Sequence, residues 1–448
     1  MDTFEYRDKT LFCENVKVED IVSEVGTPAY IYSKGAILAR YRELKTAFQD
    51  VDTLICFSVK SNSNLSICKV LAEEGSGFDV VSGGELFRAI KAGGDPSKVV
   101  FAGVGKTDNE IRYALGNDIF MFNVESLAEL EHINVLAEGA GKVPRVALRI
   151  NPDIDAKTHA KTTTGKKENK FGIDFTEAER IIKQSALYPN VDLCGLHVHL
   201  GSPIYTVDPY VRALRKVVRF VKSCRDGGLD IEFMNVGGGY CISYTGEKVI
   251  RPKDYAVKIL PLVKEMQCNL ILEPGRFIVG NSGILVTRVI YTKETVHGKK
   301  FVICDAGMND LIRPALYDAF HRIWPVNTSI KMPKVENPNK SQAKTGMDLV
   351  DIVGPVCESS DIFAAKRALP RVKEGDLLTI FSAGAYGFSM SSCYNSRPRP
   401  CEVLVEGDRY RVIRKRETYE DLIRGENFGS VVKWRPDKSP PFIVSHVS

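Results

Sequence analysis

The sequence predicts an α/β chain: a (β/α)8 barrel of the TIM type, joined to a mostly β C-terminal domain, sandwich- or barrel-like. Three observations lead there. Between about residues 30 and 280, eight apolar strand-like runs alternate with amphipathic helix-like runs. That alternation implies parallel strands joined by crossover helices, and eight units in roughly 250 residues suit a closed barrel. A doubly wound open sheet would ordinarily carry a glycine-rich phosphate fingerprint after its first strand, and none is present. Finally, beyond residue 280 the texture turns to Ile, Val and Thr, as half-buried strands require.

Short apolar runs read as buried strands and longer 3.6-periodic runs as helices. Barrel strands are expected at 54–60, 77–81, 98–102, 118–122, 144–150, 192–199, 230–236 and 269–273. Helices are expected at 64–75, 83–93, 124–138, 175–187, 207–228 and 252–266. A β segment from Ser282 to Thr295 opens the second domain, with further strands at 300–304, 348–353, 376–381 and 401–414. Glu406-Gly407-Asp408 marks a hairpin turn within the last of these. A short helix is expected at 417–424, and 328–346 is a loop on composition. The domains are therefore expected at 30–282 (barrel) and at 1–29 plus 283–448 (β-rich), since 448 residues exceed one ordinary core.

Bulk composition excludes several classes. A net charge of +5 with acidic and basic residues interleaved gives no footprint for nucleic acid. No apolar run reaches membrane-spanning length, and the start Met1-Asp2-Thr3-Phe4-Glu5 is acidic, so neither membrane nor leader is expected. Eleven scattered cysteines without a C-x-x-C pair are read as reduced thiols of a cytoplasmic protein. Gly103-Val104-Gly105-Lys106-Thr107 ends like a P-loop, but Val100 stands where its first glycine belongs.

Barrel enzymes carry their chemistry at the C-terminal ends of strands. Lys60, Asp79, His199, the triplet Gly237-Gly238-Gly239 and Glu273 all fall there. A lysine leaving a buried strand either snorkels to water or serves as a Schiff-base amine. His197 and His199 share one strand face, which suits a metal pair, a ring stacked on a flat cofactor, or a core histidine. Three successive glycines make either a tight turn or a backbone cradle for an anion. Glu273 in Glu273-Pro274-Gly275-Arg276 needs a partner, either Arg276 or a protonated ring nitrogen. Arg313 and Tyr317 are one helical turn apart and suit one ligand. Cys357-Glu358 places a thiol beside a carboxylate in a loop, where a tuned thiol donates protons.

Taken in order, these motifs resemble the fold-type-III pyridoxal-phosphate decarboxylases over essentially the whole chain. Phe57-Ser58-Val59-Lys60-Ser61-Asn62 is similar to that family's cofactor-lysine strand, and Gly384-Ala385-Tyr386 completes the set. The resemblance implies pyridoxal 5'-phosphate on Lys60, with His199 on the ring, Glu273 at the ring nitrogen, and Asp79 among the cofactor residues. Ser202, Gly239, the Gly275-Arg276 backbone and Tyr386 would hold the phosphate, with Gly237 and Gly238 also among the cofactor residues. It implies a homodimer with shared sites, in which Cys357 protonates the product from the other subunit. Arg276, Arg313, Tyr317, Tyr386 and Glu358 are similar to the substrate site of the branch converting meso-2,6-diaminopimelate to L-lysine and CO2. Decarboxylases of ornithine, arginine or carboxynorspermidine are the nearest alternative. A non-catalytic relative would lack Lys60 or Cys357, and Glu273 argues against a racemase. Ala160-Lys161-Thr162 departs from the branch's usual pattern.

Overall fold

The computed structural model describes residues 4–155, 170–337 and 341–429. Eight parallel strands close into a barrel: Thr53–Ser58, Gly77–Val80, Val99–Phe101, Met121–Val124, Arg145–Arg149, Asp192–His197, Phe233–Asn235 and Asn269–Leu272. The last strand pairs back to the first, Leu270 opposite Thr53. The expected α/β barrel is therefore the fold, and each strand lies within or beside its expected range.

Side-chain alternation explains how the barrel is filled. One inward layer is apolar: Cys56, Val100, Met121, Ala147, Cys194 and Ile271 pack on one another. Two residues further along the strands the inward positions turn polar: Ser58, Asp79, Asn123, Arg149, Asn235 and Glu273, with His197 on the strand beside them. All seven are buried. The same period-two rule thus seals the floor and builds a polar ceiling beneath the strand ends. Outside, helices cover the strands with buried Leu, Ile and Val, each side chain contributing about 1.5–3 kcal/mol when fully buried.

Short strand-to-helix turns bring the helix caps near the rim. Ser82, Thr107, Ser126 and Asp174 each accept a backbone N–H of the helix they open, at a typical value of about 1 kcal/mol per cap. The helix Asp108–Gly116 was not among the expected ones; it buries Ile111, Ala114 and Leu115 on one face. Lys106, in the rejected P-loop look-alike, is structural: its ammonium donates to Gly103 O, Asn123 O and Glu129.

The second domain is a sheet in the order Ile362–Pro370, Met347–Val353, Lys300–Cys304, Gly283–Glu294, Ala29–Ser33, Cys401–Glu406 and Arg409–Arg414. Leu377–Ile380 also pairs with Gly283–Glu294 and with Ile323–Pro325. One strand of this sheet spans the expected boundary at residue 30. Ala29–Ser33 is buried along its length and pairs with Gly283–Glu294 on one side and Cys401–Glu406 on the other. The helix Lys34–Ala47 follows it. The strand Ile362–Pro370 was not expected, because Lys366 and Arg367 interrupt its apolar texture. The expected C-terminal helix is the single turn Tyr419–Leu422. Residues Thr158, His159 and Ala160-Lys161-Thr162 lie outside the described residues.

Candidate active site

Lys60 stands just past the strand Thr53–Ser58, in the single helical turn Val59–Ser61. Its Nζ donates to Asp79 Oδ2 at 3.0 Å, and the Ser58 hydroxyl donates to the same oxygen at 2.5 Å. Asp79 is fully buried while the Lys60 side chain is 36% exposed. Burial works against the Lys60 ammonium, but the charges of Asp79, Tyr386 and Glu273 outweigh it and hold the pKa above the ordinary lysine value. Asp79 shifts up, through burial first and the nearby Glu273 second.

Glu273 is the centre of the polar ceiling. Its Oε1 accepts from Asn123 Nδ2 at 3.0 Å and from Asn235 Nδ2 at 2.6 Å. Its Oε2 lies 3.3 Å from His197 Nε2. Burial alone would raise this carboxyl, but His197 and Lys60 overcome it and hold Glu273 well below the usual carboxylate range. It is an anion in place to keep a proton on a neighbouring base. His199 differs: burial, Arg149 and Lys60 push its pKa well below that of a free imidazole. Gly238 N donates to its Nδ1 at 3.2 Å, so the ring is neutral with its hydrogen on Nε2.

The glycine triplet has no room for side chains. A Cβ on Gly237 would lie 2.7 Å from His199 Nδ1, on Gly238 2.2 Å from Glu273 O, and on Gly239 2.5 Å from Gly201 O. Gly237 and Gly239 also take φ of +68° and +100°, which glycine adopts freely. At Gly275 a Cβ would meet Ser58 and Ser61 at 2.9–3.0 Å. Bare backbone therefore approaches the rim from two directions.

Beside the rim lies a cavity of about 430 Å³ whose lining includes His199, Ser202, Arg276, Arg313, Tyr317 and Tyr386. Arg276 and Arg313 are both buried. Arg276 Nε donates to the Ser202 hydroxyl at 3.2 Å, and its guanidinium lies over the Tyr386 ring at 4.9 Å. Arg313 opens the helix Arg313–Tyr317, with Tyr317 one turn on. Tyr386 is tied to the lysine turn by its N–H, which donates to Ser61 O at 2.8 Å. Asn62 Nδ2 donates to Gly384 O at 3.1 Å, a second tie between the domains.

Cys357 and Glu358 are not among the residues lining that cavity. Both are exposed, in the loop between Met347–Val353 and Ile362–Pro370. Asp361 fixes the loop by accepting from Met308 N at 2.6 Å and Val356 N at 2.7 Å, and Cys357 N donates to Asn395 Oδ1 at 2.9 Å. Sequence reading missed Asn123 and Asn235, although each sits two residues beyond an apolar inward position. It also missed Tyr244 and His321, which come from loops without any periodic signal.

These residues fit pyridoxal phosphate. The rim offers a primary amine, a buried anion for a ring nitrogen, a flat neutral imidazole and backbone bared by glycine. Asp79 Oδ1, Asn123 Oδ1 and His197 Nδ1 are buried without a hydrogen-bond partner among the described residues, which marks a polar site rather than a packed core. Among the described residues no cluster of potential metal ligands occurs.

Comparison with known proteins gives the same picture. Residues 34–280 match the family model described as "Pyridoxal-dependent decarboxylase, pyridoxal binding domain". The chain is 44% identical to a diaminopimelate decarboxylase of Aquifex aeolicus, over 94% of this chain and 96% of that one. Its fold matches diaminopimelate decarboxylase from Helicobacter pylori complexed with L-lysine, with a TM-score of 0.85 and 43% identity over 91% of this chain and 98% of that one. The enzyme from M. jannaschii in co-complex with L-lysine matches with a TM-score of 0.86 and 38% identity, over 94% and 97%. The chain belongs to the pyridoxal-dependent decarboxylase family, in the diaminopimelate decarboxylase branch.

Proposed function

We propose that the protein converts meso-2,6-diaminopimelate to L-lysine and CO2 as a cytoplasmic homodimer. The observation that carries the substrate assignment is the pair of buried guanidiniums, Arg276 and Arg313, lining one cavity beside the Lys60 rim. Two arginines suit the carboxylate at the far end of a dicarboxylic amino acid. Ornithine has no such group, and its terminal ammonium would be repelled by them.

Bound pyridoxal phosphate supplies the electron sink for the pair left behind when CO2 departs. Lys60 would hold it covalently and Glu273 would keep its ring nitrogen protonated. His199 would lie against the ring. The bared backbone at Gly237, Gly238, Gly239 and Gly275-Arg276, with Ser202 and Tyr386, would bind the phosphate, leaving the Arg276 guanidinium for the substrate. Arg276, Arg313, Tyr317 and Tyr386 would orient the substrate.

The proton for the carbon that loses CO2 would come from Cys357 of the partner subunit, with Glu358 of the partner subunit facing the substrate's distal amine. Their exposure on one loop, away from the chain's own cavity, supports that exchange. Among the described residues no helix is long and apolar enough to cross a membrane. Incubating the holoenzyme with meso-2,6-diaminopimelate should give L-lysine and CO2 in equal amounts. Borohydride reduction and peptide mapping should then place the pyridoxyl group on Lys60; a label on another residue contradicts the assignment.

A further inference from the structure

Tyr244 belongs to none of the motifs that define the site, yet it stands between the two buried arginines. It lines the same cavity as Arg276, Arg313 and Tyr317. Arg276 Nη1 donates to its hydroxyl oxygen at 2.7 Å. Arg313 lies over its ring, 5.5 Å from the centroid. The ring is also held edge-on by His321, with centroids 5.3 Å apart.

His321 in turn fixes Arg313. The imidazole is fully buried, and its Nδ1 lies 2.8 Å from Phe381 O, which can only accept. Nδ1 therefore carries the hydrogen, leaving Nε2 to accept from Arg313 Nε at 3.4 Å. Both guanidiniums are thus held against one phenol. Two like charges beside one cavity raise the cost of an empty site and favour an anion between them.

A hydroxyl that accepts from Arg276 keeps its own hydrogen to donate. Burial would raise the phenol's pKa, but Arg276 and Arg313 outweigh it and bring the value below that of free tyrosine. A more acidic phenol is a stronger donor to a carboxylate.

We propose that Tyr244 is a specificity-determining residue that donates its hydroxyl hydrogen to the carboxylate held by Arg276 and Arg313. The inference rests on the reading of those arginines as the distal carboxylate site. Arg276 and Arg313 supply charge, while Tyr244 supplies a fixed neutral donor that distinguishes a carboxylate from a hydrogen or an amine at that position.

The test compares L-lysine with cadaverine, which differ by that carboxylate alone, binding to holoenzyme by titration calorimetry. Tyr244→Phe keeps the ring against Arg313 and His321 and removes the donor. The variant should bind L-lysine about ten- to a hundredfold more weakly, with cadaverine affinity unchanged. KM for meso-2,6-diaminopimelate should rise by a similar factor while kcat stays within about twofold. Equal losses for both ligands, or a lowered Tm accompanying them, would assign Tyr244 a structural role and overturn the proposal; so would no loss for either. If wild-type holoenzyme itself does not prefer L-lysine to cadaverine, the arginine reading fails and takes the proposal with it.

Discussion

Asp79 and Glu273 are two buried carboxylates within the field of one lysine, and they carry different tasks. Asp79 takes the hydrogen bond from Lys60. Glu273 is held as an anion by His197 and Lys60 against the burial that opposes it. Glu273→Gln preserves the acceptor facing Asn123 and Asn235 but removes the charge. We expect kcat to fall about a hundred- to a thousandfold, with Tm nearly unchanged; retention of full turnover would show that the charge is not used. Lys60 and Glu273 were readable from sequence because each is a charged residue ending an apolar run. Asn123 and Asn235 were not, since an amide in a strand gives no warning until the register shows that it faces inward. Tyr244 was unreadable for a different reason: its neighbours Arg276, Arg313 and His321 are 32 or more residues away, and only the fold assembles them.

At the scale of elements, the strand ends matter more than the strands. The triplet after Phe233–Asn235 passes so close to Glu273 that side chains have no place there. Gly238→Ala would put a Cβ 2.2 Å from Glu273 O. It should cost about 1–3 kcal/mol of stability and weaken pyridoxal phosphate binding, read as a fall in Tm and a rise in cofactor Kd. The sequence could not decide between turn and cradle at these glycines, because both need the same residues.

The segment between the helix Arg313–Tyr317 and the strand Ile323–Pro325 carries a pH signature. Burial, then the charges of Arg313, Arg276 and Arg367, lower the His321 pKa to about 3 from an ordinary value of 6.5, against the Phe381 carbonyl, which favours the charged form. The unfolded chain therefore binds a proton between pH 6.5 and 3 that the folded chain does not. Stability from this group is complete above pH 6.5 and declines as pH falls toward 3, with a slope of up to about 1.4 kcal/mol per pH unit. His321→Gln should remove about one proton from the acid limb of unfolding measured by denaturant titration. An unchanged proton uptake would show that His321 titrates normally in the folded state.

Across the whole molecule, the barrel supplies the lysine and the anion while the β domain supplies Arg313, Tyr317 and Tyr386. The eight barrel strands were legible because apolar runs recur with a crossover helix readable in six of the seven gaps between them. The partners of Ala29–Ser33 were not legible, because the strand precedes the barrel in sequence yet pairs with strands more than 250 residues later. If Cys357 acts across a dimer, two inactive variants should rescue each other. Mixing Lys60→Ala with Cys357→Ala under subunit exchange should restore activity approaching about a quarter of wild type, since half the dimers then hold one intact site of two. No rescue despite exchange, seen by mass spectrometry, would place the acid within one chain.

The central claim is that Lys60 and the paired arginines form one site for a dicarboxylic diamino acid. It is tested most directly by kcat/KM for CO2 release from meso-2,6-diaminopimelate and from L-ornithine, measured side by side on the holoenzyme. The account predicts a preference for meso-2,6-diaminopimelate of at least about a hundredfold. Equal or faster release from L-ornithine would contradict it.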